Sequence, residues 1–335
     1  MRKFKVSGIL AMVCAAALFL GGCQNGEAAV STTTEATTAT TVAETTAADT
    51  TEDTSAETIP VQDDAVYPLS LTDKFGAEVV IEKVPEKVIC FSPELVEIMY
   101  ALGVGDALYG RAESCNFPEE ALSVEIMGDL FNLNVETVVA AEPDLVLLSS
   151  MTSADTADSL KEKGLTVLTL DADAYFDGAY DYIAGVGMVF DAADEAAALE
   201  ASMKAELQEI ADKVADLEKP RAYFAVGVGE FDSTATGDTY LSQIMEMAGS
   251  VNVAKDGTFW MYTLEQLLLD DPDIILCGEM SGTKDTMLSL EGYKDLRAVK
   301  EDAVYVINDD IFYRQGPRLV EAVETLVKIF HPDAF

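Results

Sequence analysis

The sequence predicts an α/β protein of two Rossmann-like lobes joined by a single long helix, and three observations carry that prediction. The first is an internal repeat. Asn134 to Ser149 (NVETVVAAEPDLVLLS) returns as Thr263 to Gly278 (TLEQLLLDDPDIILCG), with Glu136 matching Glu265 and Asp144 matching Asp273 at a constant offset of 129 residues. Each copy sets a glutamate in the first turn of a short apolar helix, breaks at an acidic-Pro-Asp step, and continues into consecutive apolar residues. Proline cannot continue a helix and biases the residue before it towards extended geometry, so a strand is expected next. Being apolar on consecutive positions, that strand suits a parallel sheet covered on both faces. The second observation is an alternation of short strands with helices around the first copy, the pattern of a parallel α/β lobe. The third is the longest helical signal in the chain, Ala192 to Leu217, free of Pro and Gly, with Leu199, Met203, Leu207, Ile210, Val214 and Leu217 at three- and four-residue steps.

Taken in order, residues 1–22 read as a signal peptide. Arg2, Lys3 and Lys5 precede the apolar run Ile9 to Leu20, which is too short to span a bilayer. The run ends in Leu20-Gly21-Gly22-Cys23, which resembles a bacterial lipobox, so lipidation of Cys23 is expected to anchor the protein on the outer side of a membrane. Residues 23–65 collapse to Thr, Ala, Glu and Asp. Such a composition buries too little apolar surface to order itself, which makes it a tether of about 40 residues with a coil dimension of roughly 35 Å. The first lobe is expected over 66–190. It opens with a hairpin around Lys74-Phe75-Gly76, then alternates a strand from Val88 to Phe91, a helix from Pro93 to Leu102, a strand from Ala107 to Arg111, the first repeat unit and a strand from Leu165 to Leu170. The joining helix is assigned to 191–218, ended by Pro220. The second lobe, 219–335, opens with a strand from Ala222 to Val228 and closes with an amphipathic helix from Pro317 to Phe330.

Composition narrows the chemistry. The 335 residues carry 60 acidic and 21 basic side chains, net −39, so a general basic surface for nucleic acid is excluded. With 49% hydrophobic residues the chain is long enough to bury two cores. The one histidine, His331, lies at the end and is read as a helix cap before Pro332. A multi-histidine zinc or manganese site and a Ser-His-Asp mechanism therefore lack their residues. No Walker motif occurs, and Gly227-Val228-Gly229 lacks the third glycine of a dinucleotide turn. An enzyme is not expected. Of five cysteines, Cys14 leaves with the signal and Cys23 takes the lipid. Cys90, Cys115 and Cys277 remain, an odd number that makes no disulfide framework, and the sequence leaves pairing of Cys90 with Cys115 open.

Several short stretches, in order and at matching spacing from about Tyr67 to Phe335, then add up. They are Pro85-Glu86-Lys87-Val88-Ile89 leading to Ser92-Pro93; Ala101-Leu102-Gly103-Val104-Gly105-Asp106; Cys115-Asn116-Phe117-Pro118; the two repeat units; and Phe312-Tyr313-Arg314-Gln315-Gly316-Pro317-Arg318 running to Phe330-His331-Pro332. On these stretches the chain resembles the substrate-binding lipoproteins of ABC importers for iron siderophores, haem and vitamin B12, which have the class III periplasmic-binding-protein fold. The resemblance implies an extracytoplasmic monomer that holds a metal chelate between its lobes and delivers it to the importer's membrane subunits, with no catalytic cofactor. It also implies that a glutamate on each lobe, here Glu136 and Glu265, docks against those subunits. Glu in a first helical turn is independently favoured by the helix dipole, by about 0.3–1 kcal/mol.

Open α/β sheets bind ligands at loops beyond the carboxyl ends of their strands. That rule makes Ser92, Pro93, Ser114, Asn116, Phe117 and Phe131 the cleft candidates of the first lobe, and Phe231, Phe259, Trp260, Asp310, Phe312, Tyr313 and Arg314 those of the second. Aromatic faces there suit a flat macrocycle or a catecholate, and Arg314 is expected to pair with a propionate or another anion. For each aromatic the competing reading is core packing. The family's vitamin B12 pattern sets a tryptophan six residues before each docking glutamate, where this chain has Leu130 followed by Phe131 and Phe259 followed by Trp260. A tyrosine common before the Cys-Asn-Phe-Pro loop is Ser114 here. The corrinoid accordingly leads ferric siderophore and haem only narrowly. A tethered adhesion or sensor-accessory protein of the same shape is the alternative.

Overall fold

The structure, a computed structural model, describes residues 67–129, 133–229, 232–279 and 283–334. The expectations for the signal peptide, Cys23, the tether, Phe131 and Phe231 lie outside the described residues. The chain enters through an antiparallel hairpin, β1 (Leu69–Thr72) and β2 (Glu78–Ile81), in the register Leu69 to Ile81. Its turn is fastened by Asp73, whose Oδ1 accepts the backbone N–H groups of Phe75 and Ala77 while Oδ2 meets Lys161 at 2.6 Å. Burial works to raise the Asp73 carboxyl, but Lys161 and those N–H groups outweigh it and hold it below the ordinary range.

The first sheet is all parallel, with β5 (Glu125–Ile126), β4 (Leu108–Arg111), β3 (Val88–Cys90), β6 (Leu145–Leu148) and β7 (Val167–Thr169) in that spatial order. The second places β10 (Val251–Asn252), β8 (Arg221–Gly227), β11 (Ile274–Gly278) and β12 (Val304–Ile307) in parallel, with the short β9 (Ser233–Thr234) antiparallel on β8. Helices α1 (Pro93–Ala101), α2 (Val135–Ala141), α3 (Ala154–Lys161) and α4 (Gly178–Val189) belong with the first sheet. The joining helix α5 spans Ala193–Val214, about 33 Å at 1.5 Å per residue. The second sheet is accompanied by α6 (Tyr240–Met247), α7 (Leu264–Asp270), α8 (Thr283–Ser289), α9 (Arg297–Lys300), α10 (Asp309–Phe312) and α11 (Leu319–Phe330).

The two repeat copies fold alike in detail. Asn134 caps α2 by accepting the N–H of Thr137, and Thr263 caps α7 by accepting that of Gln266, each at 3.2 Å. Each helix stops on a left-handed residue, Glu142 at φ 48° and Asp271 at φ 41°. This corrects the extended geometry expected before the prolines: the αL residue ends the helix, and proline only prevents its resumption. The aspartate after each proline then pins its strand to the neighbour. Asp144 accepts from the N–H of Lys87 at 3.1 Å and Asp273 from that of Arg221 at 2.8 Å, so β6 lies beside β3 as β11 lies beside β8.

Helix α4 has no counterpart in the sequence expectations, because Gly178, Gly185 and Gly187 depress its helical signal. One of those glycines is there for close packing: a Cβ at Gly187 would stand 2.7 Å from the Cβ of Ala196, so only glycine lets α4 and α5 cross there. Helix α5 buries a narrow stripe, Ala196, Met203, Ile210 and Val214. Around it runs one continuous apolar core, from Ile89 and Met99 through Ile183 and Met203 to Phe224, Leu241 and Leu326. A smaller cluster, with Tyr223, Ile275, Cys277, Tyr293 and Val304, covers the other face of the second sheet. His331 follows α11 as its C-cap and meets the Gly249 carbonyl at 3.2 Å. Cys90, Cys115 and Cys277 are free and buried. Among the described residues no helix is long and apolar enough to cross a membrane, and no cluster of three or more His, Cys, Asp or Glu side chains could hold a metal ion.

Candidate functional site

The carboxyl edges of the two sheets meet through a cluster of charges. Helix α1 starts directly beyond β3, with Ser92 capping it by accepting the Leu95 N–H at 3.3 Å and Pro93 in its first turn. Both residues are buried, so their observed task is to aim the helix. One turn along, α1 carries Glu97, whose side chain is 2% exposed. Its Oε1 accepts from Arg314 Nη1 at 2.8 Å and from Arg318 Nη2 at 2.6 Å, and its Oε2 from Arg318 Nε at 2.8 Å. Both arginines come from the segment after β12, so a first-lobe carboxylate holds two second-lobe guanidinium groups.

Arg314 is held through both terminal nitrogens. Nη1 also donates to Asn116 Oδ1 at 2.9 Å, and Nη2 donates to the Ser114 carbonyl at 3.1 Å and to Asp310 Oδ1 at 2.5 Å. Asn116 closes the ring by donating Nδ2 to Asp310 Oδ2 at 2.8 Å. Of the anion pairing expected of Arg314, the structure shows this much: its four terminal N–H groups are engaged by protein partners and its side chain is 9% exposed. Phe312 is corrected. It is fully buried, with its ring 6.0 Å from that of Phe224, so the core-packing reading holds for it. Tyr313 is half-buried, 6.2 Å from the same ring, and burial first, then Asp309, drive its hydroxyl pKa upwards. Phe117 is half open to solvent, with the Arg318 guanidinium over its ring at 4.1 Å. Glu97 and Arg318 are the residues sequence reading missed. The one signal was a glutamate set inside the apolar run of α1.

The second lobe presents its exposed aromatics on a strained turn. Between Thr258 and Met261, which face each other in an antiparallel bridge, Phe259 and Trp260 take φ values of 56° and 62°. Two successive left-handed residues define the tight hairpin turn that usually takes Asn-Gly, and for a side chain bearing a Cβ that conformation costs about 1–2 kcal/mol each. The turn is clamped: Phe259 N–H donates to Asp238 Oδ2 at 2.8 Å, Trp260 N–H to Thr236 Oγ1 at 3.1 Å, and Thr234 N–H to the Trp260 carbonyl at 3.0 Å. The Phe259 N–H, and then the Thr236 hydroxyl, hold the Asp238 carboxyl below the usual range. Phe259 ends 81% exposed and Trp260 37%. A depression of about 590 Å3 continues from Met261 along Tyr262 and Thr263 to Glu265. Another, of about 720 Å3, adjoins Phe117 and is lined by Tyr100, Asp106, Glu120 and Arg318. On the first lobe Tyr182 donates to Ser150 Oγ at 2.8 Å, and Met151 and Tyr175 stand exposed beyond β6 and β7. Glu136 and Glu265 are both exposed at the starts of α2 and α7.

The sequence pattern of periplasmic binding proteins matches residues 88–311. The chain belongs to the periplasmic binding protein family. Among curated relatives of this family, an uncharacterized ABC transporter substrate-binding lipoprotein of Bacillus subtilis is 34% identical over 281 residues, covering 82% of this chain and 89% of that one. A cobalamin-binding protein of Halobacterium salinarum is 27% identical over 278 residues, covering 79% and 74%. Among solved structures, a periplasmic haem-binding protein from Pseudomonas aeruginosa superposes with a TM-score of 0.68 at 22% identity, over 75% of this chain and 94% of that one. At that identity the likeness shows the fold. The family is one of solute-binding proteins of the ABC-transporter type, not of enzymes, and the observed pair of sheets with a single joining helix is its class III architecture.

Proposed function

We propose that this protein is a lipid-anchored, extracytoplasmic receptor that takes up a metal chelate between its lobes, a corrinoid ahead of ferric siderophore or haem, and hands it to an ABC importer. The single observation that supports this most is the Phe259-Trp260 turn. Backbone strain of that kind is retained where surrounding structure enforces it, commonly at ligand sites, and here it buys two exposed aromatic faces at the edge where α/β sheets take ligands. Phe117, Met151 and Tyr175 offer further apolar surface from the first lobe. The names of the curated relatives, one an ABC transporter lipoprotein and one a cobalamin-binding protein, point the same way.

Trp260 is the only tryptophan in the chain, so its emission reports on this turn. Corrins, haems and ferric siderophores absorb where indole emits, and saturable quenching by at least one of them is the expected result. If none quenches or gives calorimetric heat with folded protein, the chelate reading fails. For delivery, Glu136 and Glu265 are assigned to the importer contact: both are exposed and sit two residues past equivalent caps on the two lobes. Their joint reversal to arginine should leave chelate affinity unchanged and abolish uptake, and normal uptake by that variant would remove the assignment. Replacing Cys23 with Ala should release folded protein into the medium.

A further inference from the structure

We infer that the cleft selects its chelate by charge, admitting a neutral or cationic complex and rejecting an anionic one. The inference rests on the chelate-binding reading and specifies it. Arg314, on the segment after β12, gives its four terminal N–H groups to Glu97, Asn116, Ser114 and Asp310. Arg318 is engaged by the same Glu97 through two bonds while its guanidinium face covers Phe117. Two carboxylates thus balance two guanidinium groups, and the cluster offers no net positive charge to an incoming anion. The remaining cations nearby are also occupied or remote from the cluster. Lys284 donates to the Val304 carbonyl and pairs with Asp302, while Lys74, on the Ser150 carbonyl, and Lys255 are the exposed ammonium groups near these loops among the described residues.

Acidic groups dominate the same loops. Asp171 and Asp173 follow β7, Asp232 and Asp238 flank β9, and Asp256 precedes the aromatic turn. An anionic chelate entering here would give up its hydration to meet two exposed lysines against five aspartates, a surplus of carboxylates of its own sign. That is rejection by a repulsive element, one of the two routes to specificity. A neutral ring edged with amides, or a complex carrying one positive charge, meets only hydrogen-bond partners and aromatic faces.

The test is calorimetric titration of the full chain with five probes of matched size class. They are cyanocobalamin (neutral), diaquacobinamide (cationic), a cationic ferric trihydroxamate, haemin (two carboxylates) and a ferric tris-catecholate (trianionic). The best neutral or cationic probe should bind at least about a hundredfold more tightly than either anionic one, and added salt should weaken the cationic probes only, as expected for exposed charges. Asp310→Asn, a nearly isosteric change, leaves Arg314 one carboxylate short, and it should improve anionic binding roughly tenfold. Haemin or the tris-catecholate binding the wild type as tightly as the best neutral or cationic probe would overturn the charge rule and leave chelate binding standing. Binding of none of the five would overturn both.

Discussion

Removing the Glu97 carboxylate should destabilise the whole folded region, and the size of the loss can be worked from the charge cluster. Glu97 accepts three N–H groups from two arginines, at 2.6–2.8 Å, with side-chain exposures of 2% for Glu97, 9% for Arg314 and 16% for Arg318. In Glu97→Ala those two guanidinium groups stay buried with one carboxylate, Asp310, between them. Breaking a buried pair by removing one partner costs about 3–5 kcal/mol, chiefly because an uncompensated charge remains. For a folded region of this size roughly 2 °C is lost per kcal/mol, so the midpoint should fall by about 6–10 °C in a thermal melt, and urea unfolding should give the same free energy. Because the pair is shielded from solvent, raising the salt concentration should change the loss little. The counterpart is decisive. Replacing all three together, Glu97→Leu with Arg314→Met and Arg318→Met, removes the buried charges with their attraction, leaves only Asp310, whose side chain is 34% exposed to solvent, and should recover most of the stability. A loss below about 1 kcal/mol in Glu97→Ala, or a triple variant no better than the single one, would refute a buried, mutually dependent triad.

Other expectations come from separate parts of the molecule. Phe259→Asn combined with Trp260→Gly relieves two left-handed side chains and should stabilise the fold by about 2 kcal/mol or more in urea unfolding, while chelate binding measured by calorimetry weakens by about 1–3 kcal/mol per lost aromatic contact. The Asp238 carboxyl is held below its ordinary value, so the clamp on that turn is whole above pH values near the unfolded carboxyl pKa of about 3.9 and is lost as pH falls through the lower folded one. Trp260 emission should therefore change in acid before global unfolding, and should not do so in Asp238→Asn. Burial pushes the Cys115 thiol up to about 12 and the Cys277 thiol up to about 11, and raises Cys90 further from reactivity. A thiol reagent at pH 8 should label none of the three until the protein is unfolded.

What was legible in the sequence was periodic or repeated. The 129-residue offset gave two lobes because both copies obey the same local rules: a cap, a short apolar helix, an aspartate that ties one strand to the next. The joining helix was legible from its spacing, and only its frayed ends, at Ala192 and beyond Val214, were overextended. Helix α4 was not legible, since glycines chosen for close contact with α5 and Leu170 look like helix breakers when read alone. The site divided along the same line. Position beyond a strand end could be read, but the direction in which a ring points could not. Phe312 and Trp260 are equally aromatic in equally suitable loops, yet one faces Phe224 and the other solvent. The Glu97 cluster was invisible because its partners lie more than two hundred residues apart. Arg314 and the residues before proline were each read from one residue's preference: the partners of Arg314 include a carboxylate 217 residues away, and Glu142 and Asp271 follow the helix stop instead of the proline.

The shared core has a mechanical consequence. A hinge between two bodies needs slack at the joint, and here the joint is filled: Phe224, Leu241 and Leu326 belong to the same apolar mass as Ile89, Met99 and Ile183. Parting the lobes enough to wet even 200 Å2 of that mass would cost about 5 kcal/mol at 25 cal/mol/Å2, far above thermal energy. The molecule should therefore behave as one stiff bracket, its aperture set when it folds, and whatever empties the cleft at the membrane has to do work against that stiffness instead of waiting for the bracket to open by itself.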